Sequence, residues 1–136
     1  YTLHLSTDNA MSLSSTWTIS SDIRIKKNIE DANLDSCLNI IKNLRLVKYK
    51  WKDEFFQDQI YDKNKLGWIA QEVEEFIPKS VTINNQYGYS DFKSLNSDQI
   101  IANLYGSLQN LIYKFEESSN LCDMLLYKLD EFDSIV

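Results

Sequence analysis

The chain has little of what a metal site requires, because its 136 residues include one histidine and two cysteines. Cys37 and Cys122 are far apart and in no metal-binding spacing, so we interpret them as buried or half-buried thiols. His4 alone cannot build a zinc site. A Ser-His-Asp triad would have to use His4 as its base, and that alternative stays open. We therefore expect no metal and no cofactor.

Basic blocks and long apolar runs are also missing. Lysine and arginine number 14 against 20 acidic residues, a net charge of −6, which argues against nucleic acid and anionic membranes as partners. No apolar run approaches the roughly 20 residues of a membrane span, and no signal peptide is recognisable. The composition, 43% hydrophobic and 25% charged, predicts one soluble domain. A start without Met suggests a fragment of a longer protein.

Residues 96–136 contain no proline and one glycine, so little in this stretch opposes a long helix. Apolar residues recur here in alternating steps of three and four, the spacing of a coiled-coil seam. We predict that the helix self-associates through this seam; packing on its own domain is the alternative. Seam composition does not separate dimer from trimer. The predicted seam, with two weakly apolar members, is Ile101, Leu104, Leu108, Leu111, Phe115, Ser118, Cys122, Leu125, Leu129, Phe132 and Val136.

The rest of the chain predicts an α+β fold with an N-terminal β stub. Residues 1–20 are rich in Ser and Thr and alternate in short runs typical of strands. Their small apolar mass indicates the end of a preceding β-rich domain. Residues 21–95 predict a small mixed body, in which Asn33 or Asp31 caps a helix. Further predicted elements are a strand ending at Trp51, a buried strand at 66–70, a helix at 71–76 stopped by Pro78, and a hairpin at 81–89 with its turn at 84–86.

Ser21 and Lys26 are five residues apart at the boundary between stub and body. A serine and a lysine can form a catalytic dyad in which the lysine amine is the general base. The amine must then be neutral, a form that burial and neighbouring positive charge favour. Arg24 and Lys27 favour it by their charge, whereas Asp22 opposes it. On spacing alone, we interpret these residues as a solvated basic turn rather than as a catalytic pair.

Three stretches, in order, are similar to one family. Ser21–Ile29 resembles its opening Ser-Asp-x-Arg-(apolar)-Lys-x-Asn-Ile, and Leu44–Trp51 resembles its Leu…Tyr-x-Trp strand. Gly67–Val73, followed by Pro78 and Val81, resembles its Gly-(aromatic)-Ile-Ala-Gln-Glu-Val…Pro…Val block. A long terminal helix follows. On these residues the chain resembles the C-terminal intramolecular chaperone of phage tailspikes, tail fibres and neck appendages, which is also classed as a self-cleaving peptidase family.

The resemblance implies a chaperone domain over 21–136, with a body at 21–95 and a coiled-coil helix at 96–136. Residues 1–20 would be the tail end of its β-helical client, the upstream region of the same polypeptide. The domain would form a homotrimer that keeps three client chains in register. The precursor of a virion tail or appendage protein would be made in the host cytoplasm and would release the chaperone after folding.

The resemblance also implies residue roles. The cut would fall between Ser20 and Ser21, with Ser21 as nucleophile and Lys26, rather than Lys27, as base. Positions that would support the site are Asp22, Arg24, Gln71 and Glu72. The charged segment 52–65 resembles protrusions that embrace the client; its Phe55 and Phe56 would contact the client or pack on their own body. A trimerisation domain without cleavage is the nearest alternative function.

Overall fold

The computed structural model of the protein describes residues 19–52 and 64–134. The predicted stub, apart from Ile19 and Ser20, lies outside these residues, as do Phe55, Phe56 and Val136. The elements in chain order are a 3-10 turn (Ile23–Ile25), α1 (Leu34–Asn43), β1 (Val47–Lys50), β2 (Asn64–Gly67), α2 (Ala70–Phe76), a second 3-10 turn (Pro78–Ser80), β3 (Val81–Gln86), β4 (Tyr89–Leu95) and α3 (Asp98–Asp133). Short antiparallel strands with small helices and one long terminal helix confirm the predicted α+β class.

α1 begins at the predicted cap. The Asn33 side chain accepts a hydrogen bond from the Ser36 N–H at 2.9 Å, which satisfies one of the free donors of the first turn. The helix ends at Leu44, whose N–H donates to the Ile40 carbonyl. Asp35, in the first turn, accepts hydrogen bonds from the Asn110 amide at 3.0 Å and the Lys114 ammonium at 3.1 Å. Both partners lie on α3, so these contacts tie the start of α1 to the long helix.

The strands form two separate antiparallel hairpins. β1 pairs with β2, with Val47 opposite Gly67, and a Cβ on Gly67 would lie 3.1 Å from Tyr49 Cε1. The predicted second strand was placed too late, because Trp68 and Ile69 follow β2 and Ala70 already begins α2. β2 is also not buried, since most of its residues are exposed.

The second hairpin is confirmed, but its turn lies later than predicted. β3 continues through residues 84–86, and Tyr87 and Gly88 form the turn instead. Both turn residues have positive φ, 52° and 81°, the combination that a two-residue type I′ turn uses because it matches the twist of the strands. The strand register shifts between Asn84 and Gln86.

The core is small. Among the described residues, three apolar side chains are buried, namely Val73 of α2, Ile77 after it and Ile100 at the start of α3. Partly buried apolar side chains from α1 and the hairpins pack around this cluster. So few buried apolar side chains supply little of the free energy that keeps a domain folded.

α3 is long and only its first part contacts the body. Its 36 residues span about 54 Å at 1.5 Å per residue. The face that packs against α1 carries small or polar residues, including Gly106, Ser107 and Asn110, all buried. From Leu111 to Ser134 every described residue is exposed. The predicted seam lies on another face of α3. In the described residues the seam therefore does not pack on its own domain, which was the alternative to self-association. Its large apolar members are exposed: Ile101, Leu104, Leu108, Leu111, Phe115, Leu125, Leu129 and Phe132.

Candidate active site

The 3-10 turn at Ile23–Ile25 folds the chain so that Ser21 and Lys26 meet. Asp22 caps the turn, and the Lys26 N–H donates to the Ile23 carbonyl, which closes it. The Lys26 ammonium donates a hydrogen bond to Ser21 Oγ over 2.7 Å. The two residues that the sequence singled out as a dyad are therefore in direct contact within one short turn.

Asp22 and Arg24 stabilise this turn. The Arg24 N–H donates to Asp22 Oδ1 at 2.8 Å, and the guanidinium donates to both oxygens of the same carboxylate, at 2.9 and 2.6 Å. Hydrogen bonds from the Arg24 side chain, and then from its backbone N–H, lower the pKa of Asp22. The carboxylate of Asp22 is therefore engaged by Arg24, and no described hydrogen bond or ion pair joins it to Lys26.

The arrangement can carry out acyl transfer. A hydroxyl in contact with an amine can pass its proton to that amine as it attacks a carbonyl carbon, provided the amine is neutral. Ser21 belongs to two peptide bonds. Attack of its Oγ on the carbonyl carbon of Ser20 closes a five-membered ring, whereas attack on its own carbonyl carbon would close a strained four-membered ring, so the bond shared with Ser20 is the better candidate. Removal of water around an amine favours its neutral form, and both Ser21 and Lys26 are exposed here.

The dyad lies on an exposed arm, residues 19–33. Every residue of the arm is exposed, and no hydrogen bond among the described residues joins 19–32 to another element. Large apolar side chains flank the dyad on this arm: the exposed fractions are 73% for Ile19, 72% for Ile23, 67% for Ile25 and 62% for Ile29. Four exposed isoleucines therefore surround the Ser21–Lys26 pair, and an exposed apolar cluster of this kind is typical of a surface that contacts another molecule.

Gln71 and Glu72 lie elsewhere in the described structure. The Glu72 carboxylate forms a two-point ion pair with Arg45, including Arg45 Nε to Glu72 Oε2 at 3.1 Å. Hydrogen bonds from Arg45 lower the pKa of Glu72. Gln71 lines a cleft between the two hairpins together with Tyr49 and Trp68. No described hydrogen bond connects either residue to the dyad, so their supporting role remains a prediction.

Two structural features were not predicted from the sequence, namely the Arg45–Glu72 ion pair, which lies away from the dyad, and the backbone conformation of Asn28. Arg45 engages Glu72 across 27 positions, and no local pattern indicates so distant a partner. Asn28, two residues after Lys26, has a positive φ of 53°. Asparagine tolerates this conformation better than most residues, and Asn28 is also a position of the motif that the chain shares with the family.

Within the described residues, no group of three or more potential metal ligands comes together. Over the same part of the chain, no helix has the length and apolar character needed to cross a membrane.

Residues 21–82 match the family model described as chaperone of endosialidase, Peptidase_S74. The match begins at Ser21, the predicted nucleophile, and includes α1, the first hairpin, α2 and the first residues of β3. The resemblance found in the sequence is thereby confirmed over these residues, and the family that they match is named for a chaperone and a peptidase.

Proposed function

Because residues 21–82 match the chaperone-of-endosialidase family, we propose that this protein is a self-releasing intramolecular chaperone. It trimerises, aligns a β-helical region that precedes it in the same polypeptide, and then cuts itself off between Ser20 and Ser21. The observation that carries the proposal is the 2.7 Å contact between Lys26 Nζ and Ser21 Oγ, at the residue where the family match begins.

The cut requires no outside reagent except water. Ser21 Oγ attacks the carbonyl carbon of Ser20 and passes its proton to the neutral Lys26 amine. Lys26 returns the proton to the departing nitrogen of Ser21, so the C–N bond breaks and an ester joins Ser20 to Ser21 Oγ. Water then hydrolyses the ester. The products are a carboxylate at Ser20 and a new amino terminus at Ser21, which has no preceding peptide bond left to attack, so each chain reacts once.

The exposed seam of α3 supports self-association. Its apolar side chains remain more than half exposed, from 51% at Leu111 to 74% at Phe115, along a helix that extends beyond its own body. A 3–4 repeat of this length is buried when helices wind around one another. A coiled coil that joins the chains also raises the effective concentration of the client strands attached to them.

The width of the apolar surface favours more than two helices. A two-stranded coiled coil buries a narrow stripe, whereas bundles also use one flanking position. Apolar residues flank the seam on both sides and are exposed by 48% to 65%. A third chain provides a surface for these side chains, which is why we propose a trimer rather than a dimer. These flanking residues are Tyr105, Ile112, Leu121 and Leu126.

The exposure of the arm explains how cleavage can wait for assembly. The Lys26 side chain is exposed in the described chain, and contact with water favours the charged form of amines in general. Docking of the arm's isoleucines against the client or another copy removes that water. The base then becomes competent only after the chains have come together. Such a single reaction suits the precursor of a virion tail or appendage protein, made in the host cytoplasm and separated from its chaperone after folding.

A trimerisation domain that does not cut is the second candidate. The observation that favours it is that every residue of the arm is exposed, which is an unfavourable setting for a lysine base. This alternative keeps the coiled coil and assigns the Ser21–Lys26 contact to the stability of the turn.

Intact mass of a longer chain, with its natural upstream region, separates these two functions. Wild type is compared with Ser21→Ala, Lys26→Ala and, as a matched control, Lys27→Ala, which removes a neighbouring lysine of the same charge. We expect wild type and the control to split between Ser20 and Ser21, the control more slowly because it has lost a neighbouring positive charge that favours the neutral amine, while the two dyad variants stay whole. A wild type that stays whole while it forms trimers would leave the non-cleaving domain as the function.

A further inference from the structure

Asn28 is one of two residues other than glycine that have positive φ in the described chain; the second is Tyr87. For an L-residue this left-handed region is costly, by about 1–2 kcal/mol for most side chains. Such outliers persist where the surrounding structure requires them and are concentrated at functional sites. Tyr87 has an evident reason, because it forms the β3–β4 turn. Asn28 is in no hairpin, and it follows the dyad directly.

The position of Asn28 connects two parts of the arm. On its N-terminal side lies the closed turn that contains Ser21 and Lys26. On its C-terminal side, residues 29–33 lead to Asn33, the cap of α1. A change of φ at residue 28 therefore moves the dyad turn as a unit relative to the body, without changing the contact inside the turn.

No other described interaction fixes this direction. The arm is exposed throughout, and residues 19–32 make no described hydrogen bond to another element. When packing does not hold a segment, its direction depends on the backbone angles of the residues that link it to the body. Between residues 26 and 33, residue 28 is the one assigned bend and the one residue with positive φ.

We propose that Asn28 is a positioning residue: its left-handed backbone sets the direction in which the Ser21–Lys26 turn is presented to the rest of the assembly. The inference rests on the proposed function. It adds a second requirement for cleavage, the direction of the turn, beside the contact between Ser21 and Lys26. Asparagine suits the place because it tolerates the left-handed region, while a β-branched residue does not.

The cleavage test compares Asn28→Val with Asn28→Gly in the longer chain. Valine should slow self-cleavage about tenfold, since it disfavours the left-handed conformation. Glycine adopts that conformation freely and should restore the rate to within about threefold of wild type. The dependence of the rate on pH should keep its shape in both variants, because the base is unchanged. Tyr87→Val is the matched control: it places the same strain in the body, and its assembled form should cut at the wild-type rate.

A second measurement does not depend on cleavage. Spin labels at Ile23→Cys on the arm and Asn39→Cys on α1, in a chain that also carries Ser21→Ala, Cys37→Ser and Cys122→Ser, report the direction of the turn. Wild-type Asn28 should give a narrow distance distribution. Valine should shift or broaden it, whereas glycine should retain the wild-type peak.

The outcomes separate this inference from the proposed function. An unchanged distance distribution and an unchanged rate with valine would overturn the role of Asn28 and leave the self-cleaving chaperone standing. A wild type that never cuts, but whose distance distribution moves with valine and returns with glycine, would refute the cleavage and keep Asn28 as the residue that orients the arm.

Discussion

Gly106 provides a direct test of how closely the two main helices pack. A glycine inside a helix costs about 1 kcal/mol relative to alanine, so an exposed Gly→Ala change would stabilise α3. Gly106 is buried, and a Cβ there would lie 2.8 Å from Cys37 Sγ, 3.1 Å from Cys37 Cβ and 3.6 Å from Leu34 Cδ2. Rotation of the cysteine side chain can relieve the sulfur contact but not the contact with its Cβ. Overpacking of this kind costs about 1–3 kcal/mol, so Gly106→Ala should lower the free energy of unfolding by about 0–2 kcal/mol.

A double-mutant cycle with Cys37→Ala isolates the contact. That change removes the sulfur and leaves the contact at 3.1 Å, so Gly106→Ala should be less harmful, or stabilising, in its presence. The coupling should be about 1 kcal/mol, within the range for residues in contact. Urea unfolding at one fixed protein concentration measures it, because the stability of an oligomer depends on concentration.

The reasoning on Gly106 has a clear contrary result. Gly106→Ala could raise the free energy of unfolding of the otherwise wild-type protein by about 1 kcal/mol, the full difference in helix propensity between alanine and glycine. The double-mutant cycle would then show no coupling energy with Cys37. The two helices would then lie further apart than described, and the glycine would have no packing role. Ala102 is exposed on the same helix and serves as the matched control position. Ala102→Gly should lower the free energy of unfolding only by the lower helix propensity of glycine, about 1 kcal/mol.

Two further predictions concern the number of chains joined at the seam and the stability of the fold at acid pH. In a Cys37→Ser background, mild oxidation should link Cys122 of neighbouring copies. The disulfide-linked pair on a non-reducing gel should level off at about two-thirds of the chains in a trimer, since three thiols leave one unpaired; complete linkage would indicate a dimer. Hydrogen bonds from Asn110 and then Lys114 lower the pKa of Asp35, so its contribution to stability is full above the unfolded pKa of about 3.9 and is lost as the pH falls through the lower folded value. Asp35→Asn should therefore flatten the fall of the urea midpoint between about pH 5 and pH 2, and an unchanged slope would contradict the tie between α1 and α3.

Local signals predicted the parts of the fold that local interactions determine. Asn33 was recognisable as a helix cap because an asparagine side chain, placed just before residues with a helical apolar repeat, accepts a hydrogen bond from a free N–H of the first turn. The 3–4 repeat of residues 101–132 was recognisable because its spacing can be read from the sequence without knowing which surface packs against it. The turn at Tyr87 was missed, because Asn84, Asn85 and Gln86 are the more usual turn residues and tyrosine rarely accepts positive φ. Here the pairing of β3 with β4 outweighs local preference.

The same contrast between local and long-range interactions holds for the candidate site. The spacing of Ser21 and Lys26 was visible in the sequence, but their contact depends on the 3-10 turn and on the Asp22–Arg24 pair within it. Both are interactions between neighbours; the resemblance named Asp22 and Arg24 as supporting positions, but it did not predict the ion pair between them. The Arg45–Glu72 pair joins residues far apart in the chain. Nothing local indicates which of many charged residues meet, and the pair could be found only in the folded structure.

A dyad built from residues five apart can form in a single chain, so its formation cannot be what delays the cut. The contact of 2.7 Å is made here in one protomer, without help from α3 or the hairpins. Among the described residues, none provides an apolar cover for the arm or for the seam. Under the proposed function, both surfaces are covered by the same event, the joining of chains around a client. If the proposed function is right, the cut is timed by the removal of water from the dyad. Variants that weaken the seam, such as Leu125→Asp, should then abolish cleavage while leaving the Ser21–Lys26 contact intact.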